Sequence, residues 1–311
     1  MQKPKLIAVV GATASGKSGL ALALAQKLNG EILCMDSMQI YRRMNVGTAK
    51  PTAQEQALIR HHLLDIAEPT EPFAVADYAH AAEQAIAEVL SRGKLPLLVG
   101  GTGLYLNALM HGYTLGGVKS DEKIREKYTQ ISQTQGGKER LHGMLEQADP
   151  ITAKRLHPND IRRVIRALEI YELTGKPMSE QPQPNEKEQP YTVLPLGLQM
   201  PREVLYARIA DRVVQMMRAG LLDEVRGLLN SGVPSDAQAM QGIGYKELVP
   251  VVQGKLTQQE AVHQIILNTR HYSKRQGTWL QKESNVLWLD SLNKNLLQNA
   301  CLAAEGYLTS G

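Results

Sequence analysis

The sequence predicts an α/β protein: a parallel sheet flanked by helices, with an all-helical subdomain inserted into it. Three observations carry this. Short apolar runs of strand length at Leu6–Val10, Glu31–Met35, Leu95–Val99, Thr192–Leu198 and Val286–Asp290 alternate with stretches of helical periodicity. Two of these runs end in glycine turns, Gly11–Ser18 and Gly100–Tyr105, that open straight into helical patterns. From Ser120 to about Lys187 the chain is charged, helix-patterned and free of strand-like runs, which places an inserted helical domain at 117–189 within a core formed by 1–116 and 190–311.

At 311 residues and 43% hydrophobic, the chain has enough apolar surface to bury a sizeable core. Its only cysteines, Cys34 and Cys301, exclude a disulfide framework and a four-cysteine zinc site, and suit a reducing cytosol. The apolar run after Lys5 is too short for a signal peptide and no run reaches membrane-spanning length, so a cytoplasmic protein without a membrane partner is expected. A net charge of +4 is too small to identify a nucleic-acid partner, so the distribution of charge has to be read instead.

The first strand runs into Gly11-Ala12-Thr13-Ala14-Ser15-Gly16-Lys17-Ser18, and Leu20, Leu24 and Leu28 then recur at helical spacing. Strand, GxxxxGK[ST] loop and helix in that order make a P-loop, and the predicted core is P-loop NTPase-like. Glycines let backbone N–H groups turn inward around an anion, and the helix N-terminus adds its partial positive charge at the same point. Lys17 reaches the phosphates and the Ser18 hydroxyl holds a divalent metal bridging them. The pattern alone does not say which phosphate compound is bound.

The second strand ends at Asp36-Ser37-Met38-Gln39. In an open parallel sheet the ligand crevice lies beyond the carboxyl ends of the strands, so Asp36 faces the phosphate loop, as a general base, an outer metal ligand or a capping residue. Thr52-x-x-Glu55 is a capping box, His62–Ile66 predicts a third strand, and the adjacent His61 and His62 lack a third metal ligand. Ala79, Ala82, Ile86 and Val89 mark a crossover helix, and the following strand opens into the second glycine turn, where Thr102 offers a hydroxyl.

Within the insertion, Arg162, Arg163 and Arg166 sit within one helical turn, either as a solvated face or as contacts to an RNA backbone. The composition change at Gly116–Gly117 and a proline-rich return from Lys176 to Pro190 bound it. In the return strand Pro195 predicts an edge position or a bulge. The next helix carries Arg202, Arg208 and Arg212 beside an apolar stripe of Leu205, Ile209, Val213 and Met216; an arginine aimed back at the phosphates can come from here. Met240–Lys246 is a glycine-punctuated turn. Thr257-x-x-Glu260 then caps a long helix to about Lys282, whose second half bears Arg270, His271, Lys274 and Arg275 without an acid, and whose Tyr272 and Trp279 are expected to pack in the core.

Five motifs in order, GATASGKS at 11–18, DSMQIY at 36–41, GGTGLY at 100–105, HPNDIRRVIRALEIY at 157–171 and TRHYSKRQGTWL at 269–280, resemble the tRNA dimethylallyltransferases over nearly the whole chain. His271 departs from the basic residue that members often have there. The chain ends without the zinc-finger extension of eukaryotic members, which points to the bacterial type.

The resemblance implies transfer of a dimethylallyl group from its diphosphate to the exocyclic amine, N6, of the adenine 3′ of the anticodon. It makes Gly11 to Ser18 the diphosphate cradle, with Mg²⁺ as cofactor on Ser18. Asp36 becomes the general base, and Thr13, Thr102 and Arg208 or Arg212 complete the diphosphate contacts. It assigns tRNA contacts to Asp36, Ser37, Met38 and Gln39, to Arg125, to Arg162, Arg163, Val164, Ile165 and Arg166, and to Gln241, Gly242, Ile243, Gly244, Tyr245 and Lys246. The partners expected are a tRNA anticodon stem-loop and dimethylallyl diphosphate, with the chain acting as a monomer. Three rivals share parts of this pattern: an ATP-dependent small-molecule kinase with the insertion as a lid, a prenyltransferase for free adenine nucleotides, and a GTPase switch or passive RNA-binding protein. The last lacks an NKxD motif and gives a carboxylate beside the loop no role.

Overall fold

The computed structural model describes residues 3–111, 118, 120–181, 190–283 and 285–310. The chain divides into two compact units, one of Met1–Met110 with Gln189–Gly311 and one of His111–Glu188. The glycines at 116–117 and the prolines between 182 and 189, which the sequence places at the ends of the insertion, lie outside the described residues.

The first unit opens with β1 (Lys5–Gly11), α1 (Lys17–Lys27), β2 (Gly30–Met35), α2 (Ala53–Leu58), β3 (His61–His62), α3 (Val75–Ser91), β4 (Leu95–Gly100) and α4 (Gly103–His111). The second unit holds α5 (Glu122–Ser132), α6 (Gly137–Ala148), α7 (Pro150–Arg155) and α8 (Ile161–Thr174). The chain then completes the first unit with β5 (Thr192–Gln199), α9 (Arg202–Arg218), α10 (Leu221–Asn230), α11 (Tyr245–Val252), α12 (Gln258–Leu280), β6 (Leu287–Asp290) and α13 (Leu296–Thr309).

The strands form one six-stranded sheet in the order β3-β2-β4-β1-β5-β6, and every pairing is parallel. β1 and β2 are buried along almost their whole length, as a parallel sheet covered on both faces requires. Leu20 and Leu24 of α1, four residues apart, pack on Ile7, Val9 and Leu97 of the sheet, with Ala300 and Ala304 of α13 in the same cluster. Burying each of these leucines contributes about 2 kcal/mol. A second core joins Tyr41 and Met44 to α9, α10, α11 and α12 through Val213, Leu221, Val225, Tyr245, Leu248 and Ile265. The helical unit closes around Tyr128, Leu141, Leu145, Val164, Ile165 and Leu168.

Both capping boxes form: the Thr52 hydroxyl accepts from Glu55 N–H and the Glu55 carboxylate accepts from Thr52 N–H, and Thr257 and Glu260 repeat the pattern at the start of α12. Two sequence expectations are corrected. The third strand, expected over 62–66, shrinks to His61–His62, because Leu63 and Asp65 adopt left-handed backbone at φ 65° and 55°, which no strand can contain. β5 is an interior strand rather than an edge: Pro195 pairs in register with Ala8 of β1, and the ladder with β6 begins only at Leu196. A residue without an N–H is tolerated there because β6 has not yet started.

Candidate active site

The carboxyl ends of β1, β2 and β4 converge on one mouth, and the loop from Gly11 to Ser18 forms its floor. Gly16 caps α1 with φ 92°, a conformation that only glycine adopts cheaply, and Ala14 is held left-handed at φ 63°. Such strain in a non-glycine residue persists only where the surroundings over-determine it, as at ligand clamps. Ser15 N–H closes the turn onto Ala12 O at 3.2 Å, and Lys17 Nζ reaches back to the same carbonyl at 3.3 Å. The result is a helix N-terminus with a lysine folded over it, which is an anion site by its geometry.

Burial pushes the Lys17 ammonium down to about 8, with Arg212 lowering it further and Asp36 and Cys34 opposing. Arg212 of α9 is likewise lowered by burial and held up by Asp36. Lys17, Arg212 and Asp36 therefore share one field at the mouth. Arg208, one helical turn earlier, is exposed, with Nη1 4.0 Å from the point where a Cβ on Gly16 would stand. Arg202 instead lies over the Tyr206 ring and donates to its hydroxyl at 2.9 Å. Arg212 also lines a cleft with Asn45, Lys50, Asp65, Gln215 and Met216.

Asp36 is half-buried, and its Oδ1 accepts Met38 N–H at 2.9 Å. No second hydrogen bond engages that carboxylate among the described residues. Thr102 Oγ1 accepts Ser37 N–H at 3.1 Å, which ties the second glycine turn to the residue after Asp36. Gln39 is committed elsewhere: its amide donates to Thr48 O and Ala49 O and accepts from the Cys34 thiol. Burial pushes that thiol well above its ordinary range, so Cys34 is inert.

The segment 241–246 stands beside 36–39, since a Cβ on Gly242 would lie 2.5 Å from Met38 Cε. Gln241 and Lys246 are exposed and Ile243 is half-buried, whereas Gly242 and Gly244 are buried. Tyr245 is 1% exposed and donates to Glu224 at 2.6 Å, so its side chain is structural. Glu224 also receives the N–H groups of Asn45, Val46 and Gly47, which locks the neighbouring loop.

In the helical unit the run at 162–166 separates into different roles. Arg162 and Arg163 are exposed on α8, and Arg163 pairs with half-buried Asp160 at 3.1 Å. Arg166 pairs at 2.6 Å with Glu169, which is 0% exposed and also receives Arg125 Nε at 2.9 Å. Val164 and Ile165 pack in the core of this unit, so their side chains are not presented at its surface.

One bridging position went unmarked in the sequence. Gln276 accepts Thr13 N–H at 2.9 Å and donates to Gly101 O at 3.0 Å, so it bridges both glycine turns. The aromatics of α12 were expected in the core; both are half-buried, burial pushes the Tyr272 phenol up to about 12, and Trp279 lies against Gly103 of the second glycine turn. The signal available was a polar residue on the buried stripe Ser273, Gln276, Leu280. Of the basic residues on this helix, Arg270 and Arg275 lie over the rings of Tyr206 and Tyr272.

A magnesium ion is tested by the donors at hand. Among the described residues no group of three or more His, Cys, Asp or Glu side chains gathers to hold a metal. Ser18 is exposed on the first turn of α1 and Asp36 is half-buried at the mouth. Mg²⁺ keeps its waters and takes one or two protein ligands plus phosphate oxygens, so these residues fit an ion that arrives with a diphosphate and not one bound by protein alone. Among the described residues no helix is long and apolar enough to cross a membrane.

A parallel α/β sheet with a lysine-bearing glycine loop, and a carboxylate beside it, defines a group-transfer enzyme. The IPP transferase family model matches residues 39–283, and the chain belongs to that family. It is 49% identical over 288 residues to the tRNA dimethylallyltransferase 1 of Trichlorobacter lovleyi, covering 92% of this chain and 94% of the relative. Among solved structures, the full-length tRNA isopentenylpyrophosphate transferase of Bacillus halodurans matches with a TM-score of 0.74 at 43% identity, over 98% of this chain and 97% of the other. A eukaryotic dimethylallyltransferase acting on tRNA matches with a TM-score of 0.81 at 30% identity, over 98% of this chain and 80% of the other.

Proposed function

We propose that this chain transfers a dimethylallyl group from dimethylallyl diphosphate to N6 of the adenine 3′ of the anticodon in tRNA. The observation that carries the reading is the shared field of Lys17, Arg212 and Asp36: two half-buried cations for a leaving diphosphate, and one carboxylate for an incoming amine. The relatives above, a tRNA dimethylallyltransferase and a tRNA isopentenylpyrophosphate transferase among them, support a tRNA acceptor and a prenyl diphosphate donor.

The loop amides and Lys17 hold the diphosphate, and Arg212 and Arg208 approach it from α9. As the allylic C–O bond breaks, negative charge grows on the departing oxygen, and fixed positive groups stabilise that state more than the bound ester. Mg²⁺ on Ser18, when bound, adds neutralisation of the same charge. An adenine amine is a poor nucleophile because its lone pair is delocalised into the ring. As the new N–C bond forms the amine must lose a proton, and the carboxylate of Asp36 takes it, a role contributing about 10²–10⁴ in rate.

The target base has to leave its stack to reach the mouth, at an expense of a few kcal/mol. Gln241 and Lys246 offer exposed contacts in the core unit, and Arg162 and Arg163 offer phosphate contacts in the helical one. The test combines protein, Mg²⁺, dimethylallyl diphosphate and unmodified tRNA, followed by mass spectrometry of the anticodon-loop fragment. One added dimethylallyl group on that fragment is the expected result. Free adenine nucleotides prenylated in preference to tRNA, or consumption of ATP by the enzyme, contradicts the reading.

A further inference from the structure

A buried glutamine on α12 connects parts of the site that are far apart in sequence. Gln276 is 6% exposed, and an amide costs free energy to bury unless both of its ends are paired. Both are: Oε1 accepts Thr13 N–H in the first glycine loop, and Nε2 donates to Gly101 O in the second. A Cβ on residue 101 would stand 2.1 Å from Nε2, so glycine is required there for the amide to reach. The residue after Gly101 is Thr102, whose Oγ1 receives Ser37 N–H. The residue before Ser37 is Asp36. A side chain of this helix therefore connects the loop that holds the leaving group to the segment that carries the base.

We propose that Gln276 is a positioning residue that fixes the separation between the diphosphate loop and Asp36. This rests on the prenyl-transfer reading above. Gln276 need not touch a reactant: it acts through Thr13 and Gly101. A leucine or methionine would fill the same buried volume without the polar penalty, so the retained amide has to be explained by the bonds it makes. In a transfer between two bound partners, a misplacement of about 1 Å lowers the rate about 10²-fold, so such a bridge bears on turnover more than on binding.

The test uses the full chain with Gln276→Met, which keeps the volume without the amide. The change is expected to lower kcat about 10–100-fold, with KM for dimethylallyl diphosphate and tRNA affinity within about threefold of the parent. Hydrogen exchange gives a readout independent of turnover: peptides spanning Thr13–Ser18 and Ser37–Ile40 should both exchange faster in the variant. Unchanged kcat, or faster exchange confined to α12, overturns the proposal. An inactive parent enzyme contradicts the prenyl-transfer reading instead, and the exchange data then decide the bridge by themselves.

Discussion

The mouth of the sheet and helix α8 both carry clustered cations, yet the two clusters behave differently. At the mouth, half-buried Arg212 lowers the proton affinity of half-buried Lys17, and Asp36 opposes the shift on both. Positive charge is concentrated there and kept available for an anion. On α8 and its surroundings the charge is largely answered within the unit: Arg166 and Arg125 converge on Glu169, and Arg163 meets Asp160. A run of arginines thus signals a binding face only after its acids are found, whereas a lysine folded over a helix N-terminus is a site by backbone geometry alone.

Breaking each cluster should have a different signature. Lys17→Met removes a transition-state cation and should lower kcat about 10²–10³-fold, measured as the rate of prenyl addition at saturating substrates. A change in KM alone would assign Lys17 to ground-state binding. Glu169→Gln in the helical unit should act on stability instead, destabilising the fold by about 3 kcal/mol in a urea titration. That figure is the lower end for breaking a buried pair, because Arg125 remains partly solvated.

A smaller effect concerns pH. Lys17 is lowered to about 8, so in the free enzyme it loses its charge as pH rises through that value, and pyrophosphate affinity should fall above it. Arg212 lowers this value and Asp36 raises it, so Arg212→Gln should move the fall to higher pH and Asp36→Asn to lower pH. Calorimetric titrations from pH 7 to 10 check both directions; shifts of the opposite sign would dissolve the shared field. The smallest effect belongs to Arg163→Ala. Its exposed pair contributes little to stability, but loss of one phosphate contact should reduce the salt slope of tRNA binding by about one. An unchanged slope would make that arginine ordinary surface.

Much of the core site was legible in the sequence because its chemistry is local. The glycine loop, Asp36 at a strand end, Thr102 in the second turn and both capping boxes are written in contiguous residues, and backbone geometry follows from them directly. Long-range partners were not legible. That Glu169 would neutralise Arg125, 44 residues away, depends on how α5 packs on α8. That Gln276 would reach Thr13 across 263 positions depends on the whole sheet being assembled. Pro195 and the 62–66 segment misled for the same reason: where β6 begins, and how Leu63 and Asp65 turn, are set by tertiary context rather than by alternation.

The most direct test of the central claim is a single-turnover measurement on Asp36→Ala, with enzyme in excess over unmodified tRNA and saturating dimethylallyl diphosphate. The account predicts that prenyl addition slows by about 10²–10⁴ while tRNA affinity stays close to that of the parent. Prenyl addition at the parental rate would show that proton removal does not depend on that carboxylate.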